Sequence, residues 1–485
     1  MRHSTARMLG IVFIVVSLLS FCAGIIIDPA FVERHLSGDH ALKTGTIERI
    51  QDARKTAVTL GVLAAIAALP LLARPRLTRS EKQLAIYIAV VAAALYLLTL
   101  GNPTQADYTL TSYAARLSID HWNIYDYVVR TEGLPDWYAG YPPGYFVIQG
   151  VWFSIMGAVG LIDLASWAGP MHTFNLAFFG KIPILFAIVL AALFLWKLLP
   201  PSKRALGLGI FLFSPALIDS VLLQGQFDVI VACFVLAGLL VARGASAHDS
   251  FDLRRSLAAI LLVGLSGCFK PYGLLLVPIF AVSLAGRSRP RALVLTAAGI
   301  LPCALSFLPY AAGSPLGFGA IVKAFSAQPS GRLLEMTIAN HANSIPVFLC
   351  GYFLLIFFIF ETERRDEFTT LLLSCWAAMS WFFVTIYFHP QWFVWLCAVA
   401  VLGVTREGRL LKWYVFQMIL FAVYILKWCN IVGEALDQYT LGLIPCLPAL
   451  SAYGVVNGVL TALFAAVTLY IPIAAYRWRR AAAEK

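Results

Sequence analysis

Acidic, basic and aromatic residues crowd into one polar stretch of an otherwise apolar chain, between Asp107 and Tyr145. A carboxylate can accept the proton of a hydroxyl nucleophile, and cations can stabilise an anionic leaving group. The stretch is therefore predicted to form the floor of an active site. Its charged residues and histidine are Asp107, Asp120, Asp126, Glu132, Asp136, Arg116, Arg130 and His121.

Three of these acids are candidate catalytic bases. Asp107 lies about seven residues beyond the apolar run from Leu84 to Leu100, so it can reach the surface of a membrane which that run would cross. Asp120 and Asp126 lie deeper in the stretch, where an acid usually only faces solvent. The residues alone leave all three open.

Lys270 is a candidate contact for an anionic group. It precedes Pro271 at a break between two short apolar runs, 257–268 and 272–285. Interrupted backbone at membrane depth is tolerated where it lines a cavity. The pattern predicts a phosphate contact, with a lysine that merely reaches up to the membrane surface as the alternative.

Other polar residues stand at the ends of apolar runs. His389 and Gln391 precede Trp392 and could bind a donor, although aromatic residues there also form a membrane belt. Gln226 and Asp228 begin another run and could bind a substrate. Asp228 could instead cap the free amides of a helix.

The remaining candidates each have a structural alternative. Arg116 could pair with Asp120 across one helical turn instead of serving a site. Lys181 enters an apolar run and fits a structural role equally well. The others come from a polar segment before another apolar run, where they could hold phosphate or sugar hydroxyls: Asn340, His341, Asn343 and Arg332.

Composition places these residues in a membrane protein. Hydrophobic residues make up 60% of the 485 residues and charged residues 13%, with a mean hydropathy of +0.81. Soluble domains hold about 45–50% apolar residues. The net charge of +11 sits in short loops between apolar runs, where basic residues set membrane orientation. The expected partners are therefore membrane lipids, and no nucleic acid is expected.

The apolar runs predict an all-α, polytopic membrane protein with about 14 transmembrane helices. We treat the first run as a retained helix and not as a cleaved signal peptide, because it is long enough to span the bilayer. The predicted helices are near 8–27, 57–73, 83–100, 173–198, 204–221, 229–242, 257–268, 272–285, 291–311, 344–360, 369–387, 391–404, 411–428 and 455–476.

Charge asymmetry predicts the orientation. Basic residues gather in alternate loops, while most acids lie in or beside the others. Basic loops stay in the cytoplasm, so we expect an inner or plasma membrane protein with both termini cytoplasmic and the polar stretch outside. The predicted parts are two N-terminal helices with an outer loop (1–82), a catalytic module (83–405) and C-terminal helices with a basic cytoplasmic tail (406–485). The catalytic module has a large outer loop at 101–172, which is predicted to carry amphipathic helices.

Residues 144–162 are predicted as an amphipathic or re-entrant helix against the outer leaflet, entered through Pro142 and Pro143. A full span there would move the basic segment 197–204 outside. The sequence leaves open whether this helix spans the membrane or lies on it.

Roughly residues 83 to 405 resemble the GT-C superfamily of membrane glycosyltransferases, which use polyprenyl-phosphate sugars. In the polar stretch the resemblance is carried by Asp107 after an outward-going helix, by AAR ending at Arg116, by Asn-Ile-Tyr ending at Tyr125 and by YPP beginning at Tyr141. The further segments are FFGKIPILFAIVLAALFLWKLL from Phe178, SPALIDSVLLQGQFDVIVACFVLAGLLVARG from Ser214, GLSGCFKPYGLLLVPIF from Gly264 and FHPQWFVWL from Phe388. The chain looks most like the mannosyltransferase branch that includes GPI mannosyltransferase I and bacterial polyprenol-phosphate-mannose enzymes.

The resemblance implies an inverting glycosyltransferase that moves a sugar, mannose in this branch, from polyprenyl phosphate to a lipid-linked or glycan acceptor. It makes Asp107 the catalytic base. No cofactor is expected, because no GxGxxG or P-loop opens a helix and the sugar must arrive on a lipid. The residues expected at the donor phosphate or substrate are Lys270, His389, Gln391, His341, Asn340, Arg116, Gln226, Asp228 and Tyr141.

The chain departs from this branch at the loop acid. Where the GPI enzyme carries two acids as DxD, this chain reads Gln105-Ala106-Asp107. Mg²⁺ and Ca²⁺ take about six or more oxygen ligands, and one carboxylate supplies few of them. We therefore predict that no divalent metal is needed.

Two other classes share these features. A secondary transporter also shows broken helices and charges at mid-membrane, yet no internal repeat is visible here and the polar residues gather at outer helix ends. A lipid-linked glycan ligase or flippase would share the amphipathic loops and use two polyprenyl carriers. The sequence leaves the sugar, the acceptor and the oligomeric state open.

Overall fold

The computed structural model describes residues 88–90, 92–93, 106–132, 134, 136–165, 167, 174–218, 220, 225–245, 252–286, 288–326, 336–340, 343–361, 367–386, 390–425 and 454–483. This part of the chain is almost entirely helical, with 17 α-helices and one two-stranded sheet. The helices predicted near 8–27 and 57–73 lie outside the described residues. The helix predicted near 83–100 is described only at residues 88–90 and 92–93, which are helical.

The polar stretch is helical, as predicted for an outer loop that carries amphipathic helices. Its elements are α1 (Ala106–Asp120), α2 (Ile124–Arg130), a 3-10 helix (Asp136–Ala139) and α3 (Pro143–Ala158). Tyr108, Ser112 and Ala115 recur at helical spacing in α1 and are buried. This buried face stabilises α1 against the rest of the protein. Asp107 lies in its first turn.

α3 confirms a helix within 144–162, but its outer side is apolar and not polar. Phe146 and Phe153 are buried, whereas Val147, Val151 and Ile155 are exposed. A helix that is apolar on both sides is suited to contact lipid.

The next five helices confirm the predicted runs and divide two of them. They are α4 (Phe174–Gly180), α5 (Ile182–Leu198), α6 (Arg204–Leu212), α7 (Pro215–Ile218) and α8 (Asp228–Ala245). Lys181 separates α4 from α5. Pro215 cannot donate a backbone hydrogen bond to α6, and it begins α7.

The break at Lys270 is confirmed. α9 (Leu253–Ser266) is followed by a 3-10 helix (Pro271–Leu275), α10 (Leu276–Leu284), α11 (Arg289–Ala312) and α12 (Phe318–Ser326). The backbones of α9 and α11 are in contact at Gly264 and Gly299. A Cβ on Gly264 would lie 1.9 Å from the Gly299 carbonyl oxygen, so no larger residue fits there.

The structure also contains a small antiparallel hairpin, which the all-α prediction did not include. β1 (Thr337–Asn340) pairs with β2 (Asn343–Pro346), so the helix predicted from residue 344 begins only at residue 347. The remaining helices are α13 (Val347–Glu361), α14 (Glu367–Thr385), a 3-10 helix (Pro390–Phe393), α15 (Val394–Arg406), a 3-10 helix (Gly408–Leu410), α16 (Leu411–Ile425) and α17 (Gly454–Ala483).

Several helices are long and apolar enough to span a membrane, as expected of a membrane protein. Among the described residues there are four: Leu176–Leu198, Arg289–Ala312, Glu367–Thr385 and Gly458–Trp478. On α11 the large apolar side chains Leu293, Leu301 and Leu308 are exposed, as lipid-facing side chains are. α15 is buried throughout Val394–Thr405 and lies at the centre of the bundle against α8 and α14.

Three arginines cap helix ends on one side of this bundle. Their guanidinium groups donate to carbonyls in the last turns of α5 and α8, which have no helical donor of their own. A cation is also favoured there by the helix dipole. The bonds are Arg204 to Trp196 at 3.0 Å, Arg243 to Lys197 and Leu198 at 2.9 and 3.1 Å, and Arg255 to Gly244 at 2.7 Å. The three arginines therefore lie at the same end of α5 and α8.

Candidate active site

The Lys270 ammonium is held in a buried cage at the break after α9. The residue is 5% exposed. Its Nζ lies 4.7 Å from the ring centre of Tyr141 and 5.0 Å from that of Phe227. Asp228 Oδ2 lies 3.7 Å from the same nitrogen. One lysine thus meets two aromatic faces and one carboxylate, each of which attracts a cation.

The local sequence builds this break. Lys270 has an extended backbone, and Pro271 opens the following 3-10 helix with the φ that proline fixes. The turn is tied to the start of α3, where the Gly144 N–H donates to the Cys268 carbonyl at 2.8 Å. A Cβ on Gly144 would lie 2.6 Å from that oxygen, so the YPPG sequence needs glycine at its fourth position.

Aromatic residues from three segments form one wall of the cage. Tyr145 stacks on Phe227 with 4.0 Å between ring centres, and Tyr141 meets Phe227 edge-on at 5.3 Å. The Tyr125 hydroxyl donates to the Tyr141 carbonyl at 2.6 Å. This bond from α2 holds the backbone of Tyr141, whose ring faces the ammonium.

Asp228 links the cage to α15. Its carboxylate is fully buried at the first position of α8, and the Trp395 indole is a further polar neighbour. The Trp395 ring lies parallel to the Trp392 ring, with 5.8 Å between ring centres. The Tyr272 ring centre lies 5.1 Å from that of Trp392 and 5.5 Å from that of Trp395.

Polar atoms around the cage are buried without a hydrogen bond of ordinary geometry to the described residues. They are the Tyr145 hydroxyl, both Asp228 carboxylate oxygens and the Trp395 indole nitrogen. Each such group costs roughly 1–3 kcal/mol in an apolar interior. Because natural proteins rarely leave such atoms without a hydrogen bond, the cage is suited to a ligand that carries hydroxyl groups or anionic oxygens.

A second buried lysine lies beneath α1. Lys181 is fully buried at the α4–α5 break, and its Nζ lies 5.0 Å from the Tyr108 ring centre. The Tyr108 hydroxyl donates to the Leu176 carbonyl at 3.3 Å, and burial raises the pKa of Tyr108 far above its usual value. The phenol therefore stays neutral and acts as a donor.

α1 has side chains near both buried lysines, and it sets the position of the Asp107 backbone. The Thr111 and Ser112 side chains lie beside the Tyr145 hydroxyl, while Tyr108 contacts Lys181. Thr111 follows Asp107 by four residues, so both lie on the same face of α1. The backbone of Asp107 thus lies one helical turn from the aromatic wall.

Arg116, Asp120 and Asp126 have structural partners. Arg116 pairs with Asp120 across one turn of α1 and also donates to the Leu164 carbonyl at 3.3 Å. The Ser314 hydroxyl donates to Asp126 at 2.6 Å, and Asp126 also pairs with Arg130. The alternative reading of Arg116 as a partner of Asp120 is confirmed.

The structure brings Tyr141, Asp228 and Lys270 together, as the motifs suggested. Gln226 is buried directly before α8, and its N–H donates to the Ser220 carbonyl at 2.8 Å. Gln391 lies in the 3-10 helix before α15.

The remaining candidates fall on the hairpin or outside the described residues. Asn340 and Asn343 are paired as the innermost residues of the hairpin. His341, Arg332 and His389 lie outside the described residues.

Sequence reasoning did not assign Phe227, Tyr145 and Tyr272 to the site. Each is next to, or one residue removed from, a charged residue or proline in GQFD, YPPGY or KPYG. An aromatic residue in such a position in an apolar chain is the signal that could have identified them.

No protein-family model matches this chain, and no curated protein matches it. The resemblance to the GT-C superfamily stays a prediction from the sequence motifs.

Proposed function

We propose that the protein is a GT-C-type inverting glycosyltransferase. It moves a sugar, mannose in the first instance, from polyprenyl phosphate to a lipid-linked or glycan acceptor on the extracytoplasmic face. The observation that supports this most is the meeting of four separate segments around one buried lysine: 141–145, 225–228, 268–272 and 392–395. Each carries part of a motif on which the resemblance rests.

In this proposal the donor phosphate lies beside Lys270. The acceptor oxygen bonds to the anomeric carbon as the bond from that carbon to the phosphate oxygen breaks, and the acceptor proton passes to Asp107. Polyprenyl phosphate leaves with the negative charge, which Lys270 stabilises. A single displacement inverts the anomeric centre, so a β-linked donor gives an α-product.

We further propose about 14 membrane-spanning helices, both termini in the cytoplasm and the Lys270 site outside. α8 supports this orientation. Asp228 begins the helix at the site, and the arginine-capped end lies 18 residues along it. At 1.5 Å per residue the two ends are about 27 Å apart, close to the thickness of the hydrocarbon core.

The test is donor consumption. Purified protein is incubated with acceptor lipids and, separately, with polyprenyl-phosphate mannose, glucose or arabinose. We expect one donor to be consumed, with release of polyprenyl phosphate in the presence of EDTA as well. Three intact donors in the presence of complete membrane lipid extract would contradict the proposal.

A further inference from the structure

α12 presents three different sides. Ala320, Ile321 and Ala324 are buried, and they face the interior of the protein. Phe318 and Val322 follow each other at i and i+4, with 55% and 64% of their surfaces exposed. Gly319 and Lys323 are exposed along the adjacent side, so the exposed surface divides into an apolar strip and a polar edge.

The apolar strip continues the exposed side of α11. Leu305 and Leu308 are exposed near the end of α11, which is long and apolar enough to cross a membrane. Leu316 is exposed in the short connection, and Phe318 and Val322 then carry the apolar surface into α12. The strip thus extends from a spanning helix onto a helix too short to span.

A tryptophan lies at the same junction. Trp122 is 56% exposed and stacks on Tyr310, in the last turn of α11, with 5.0 Å between ring centres. Tryptophan is enriched at the boundary between lipid and water. Trp122 thus lies where a boundary residue is expected, at the end of a helix long and apolar enough to span a membrane.

The inner side of α12 holds the polar stretch. It packs against α2 and against the 3-10 helix Asp136–Ala139. Ser314, before α12, donates to Asp126 of α2, and Asn123 donates to the Tyr310 carbonyl at 2.8 Å. α12 and the residues that precede it therefore hold α2 in place.

We propose that α12 is an interfacial anchor whose partner is the lipid leaflet. Phe318 and Val322 insert at the boundary between headgroups and acyl chains, at a depth of about 5–10 Å. Lys323 lies at the level of the headgroups, where anionic lipids attract it. The anchor fixes α2 and the adjoining turn relative to the bilayer, whatever reaction the site performs.

The test measures depth with spin labels in a cysteine-free background. Single cysteines replace Phe318, Val322 and, as the matched control on the polar edge, Gly319, whose Cβ would meet open space. The protein is reconstituted in vesicles of phosphatidylcholine and phosphatidylglycerol. Collisions with oxygen report lipid, and collisions with a water-soluble nickel chelate report water.

We expect oxygen to relax the labels at 318 and 322 and the nickel chelate to be excluded, with depths of about 5–10 Å. The label at 319 should meet the chelate. Chelate access at all three sites would place α12 in water and overturn the proposal. Low access to both reagents would show a protein cover, and line broadening between labels would identify a second copy, so either result would also overturn it.

Discussion

At the scale of single residues, the buried ion pair between Lys270 and Asp228 is the feature that most needs explanation. Two opposite charges in an apolar interior lose hydration that their attraction does not always recover. A buried ion pair is therefore a costly way to stabilise a fold. The proposed function explains it, since a donor phosphate can take over the lysine.

Replacing Asp228 should reveal this cost. Asp228→Ala leaves the Lys270 ammonium buried without its carboxylate, and we expect a loss of about 3–5 kcal/mol. The double variant Lys270→Met/Asp228→Leu removes both charges and should recover most of it. Thermal unfolding in detergent measures the cycle, and a double variant as unstable as the sum of the single variants would contradict this account of the pair.

Loss of Lys270 should raise the KM for the lipid donor more than the KM for the acceptor. Lys270→Met removes the ammonium and should raise the KM for the lipid donor by about 10-fold or more, as for a lost charged hydrogen bond. The KM for the acceptor should stay within about twofold of the wild-type value. Lys203→Ala, an exposed lysine at the arginine-capped end, is the control. An unchanged donor KM in the Lys270 variant would remove this residue from the phosphate site.

Asp107 should accept the proton of the acceptor hydroxyl. Asp107→Asn preserves shape and removes proton acceptance, so turnover should fall by about 10²–10⁴-fold while donor binding survives. Asp120→Asn is the better control, because Asp120 pairs with Arg116, whereas Asp126 also holds Ser314 and its loss would disturb α2. Near-normal turnover in Asp107→Asn, together with an inactive Asp120→Asn, would move the base to Asp120.

At the scale of elements, Gly144 couples the start of α3 to the Lys270 turn. Gly144→Ala would bring a methyl group against the Cys268 carbonyl and push α3 from the cage. We expect lower thermal stability and impaired donor use. Gly458→Ala is the matched control, since its Cβ meets open space in a helix and should be neutral or stabilising by about 0.5–1 kcal/mol. Equal behaviour of the two variants would show that the contact does not constrain α3.

Long apolar runs predicted their helices well. The run predicted over 229–242 is the helix Asp228–Ala245, and the one over 411–428 is Leu411–Ile425 as far as it is described. The break at Lys270 was also predictable, because proline interrupts the helical hydrogen bonds there.

The missed elements share a different cause. α12 has only 9 residues, so it is too short to stand out as a membrane span in the hydropathy pattern. The hairpin is four residues per strand and too short to show alternation. In the site, the motifs identified Lys270 and Asp228, whereas the stacking of Tyr145 on Phe227 depends on tertiary contacts between distant segments.

At the scale of the whole molecule, the charge distribution predicts opposite environments for the two ends of α8. Glu132 is exposed in the polar stretch, and Lys203 is exposed beside the arginine-capped end. In a cysteine-free background, Glu132→Cys should react with an impermeant maleimide added to intact cells, and Lys203→Cys only after the membrane is broken. The reverse pattern would invert the topology.

The claim that the molecule performs transfer and not transport is tested most directly by following the bond between sugar and phosphate. Proteoliposomes are given polyprenyl phosphate with a radiolabelled sugar, of the kind selected by the donor comparison, and an acceptor lipid extract. The account predicts that label moves from the donor to a new acceptor while free polyprenyl phosphate accumulates in equal amount, and that Asp107→Asn slows both together. An intact labelled donor that changes leaflet or compartment without release of polyprenyl phosphate would contradict the account.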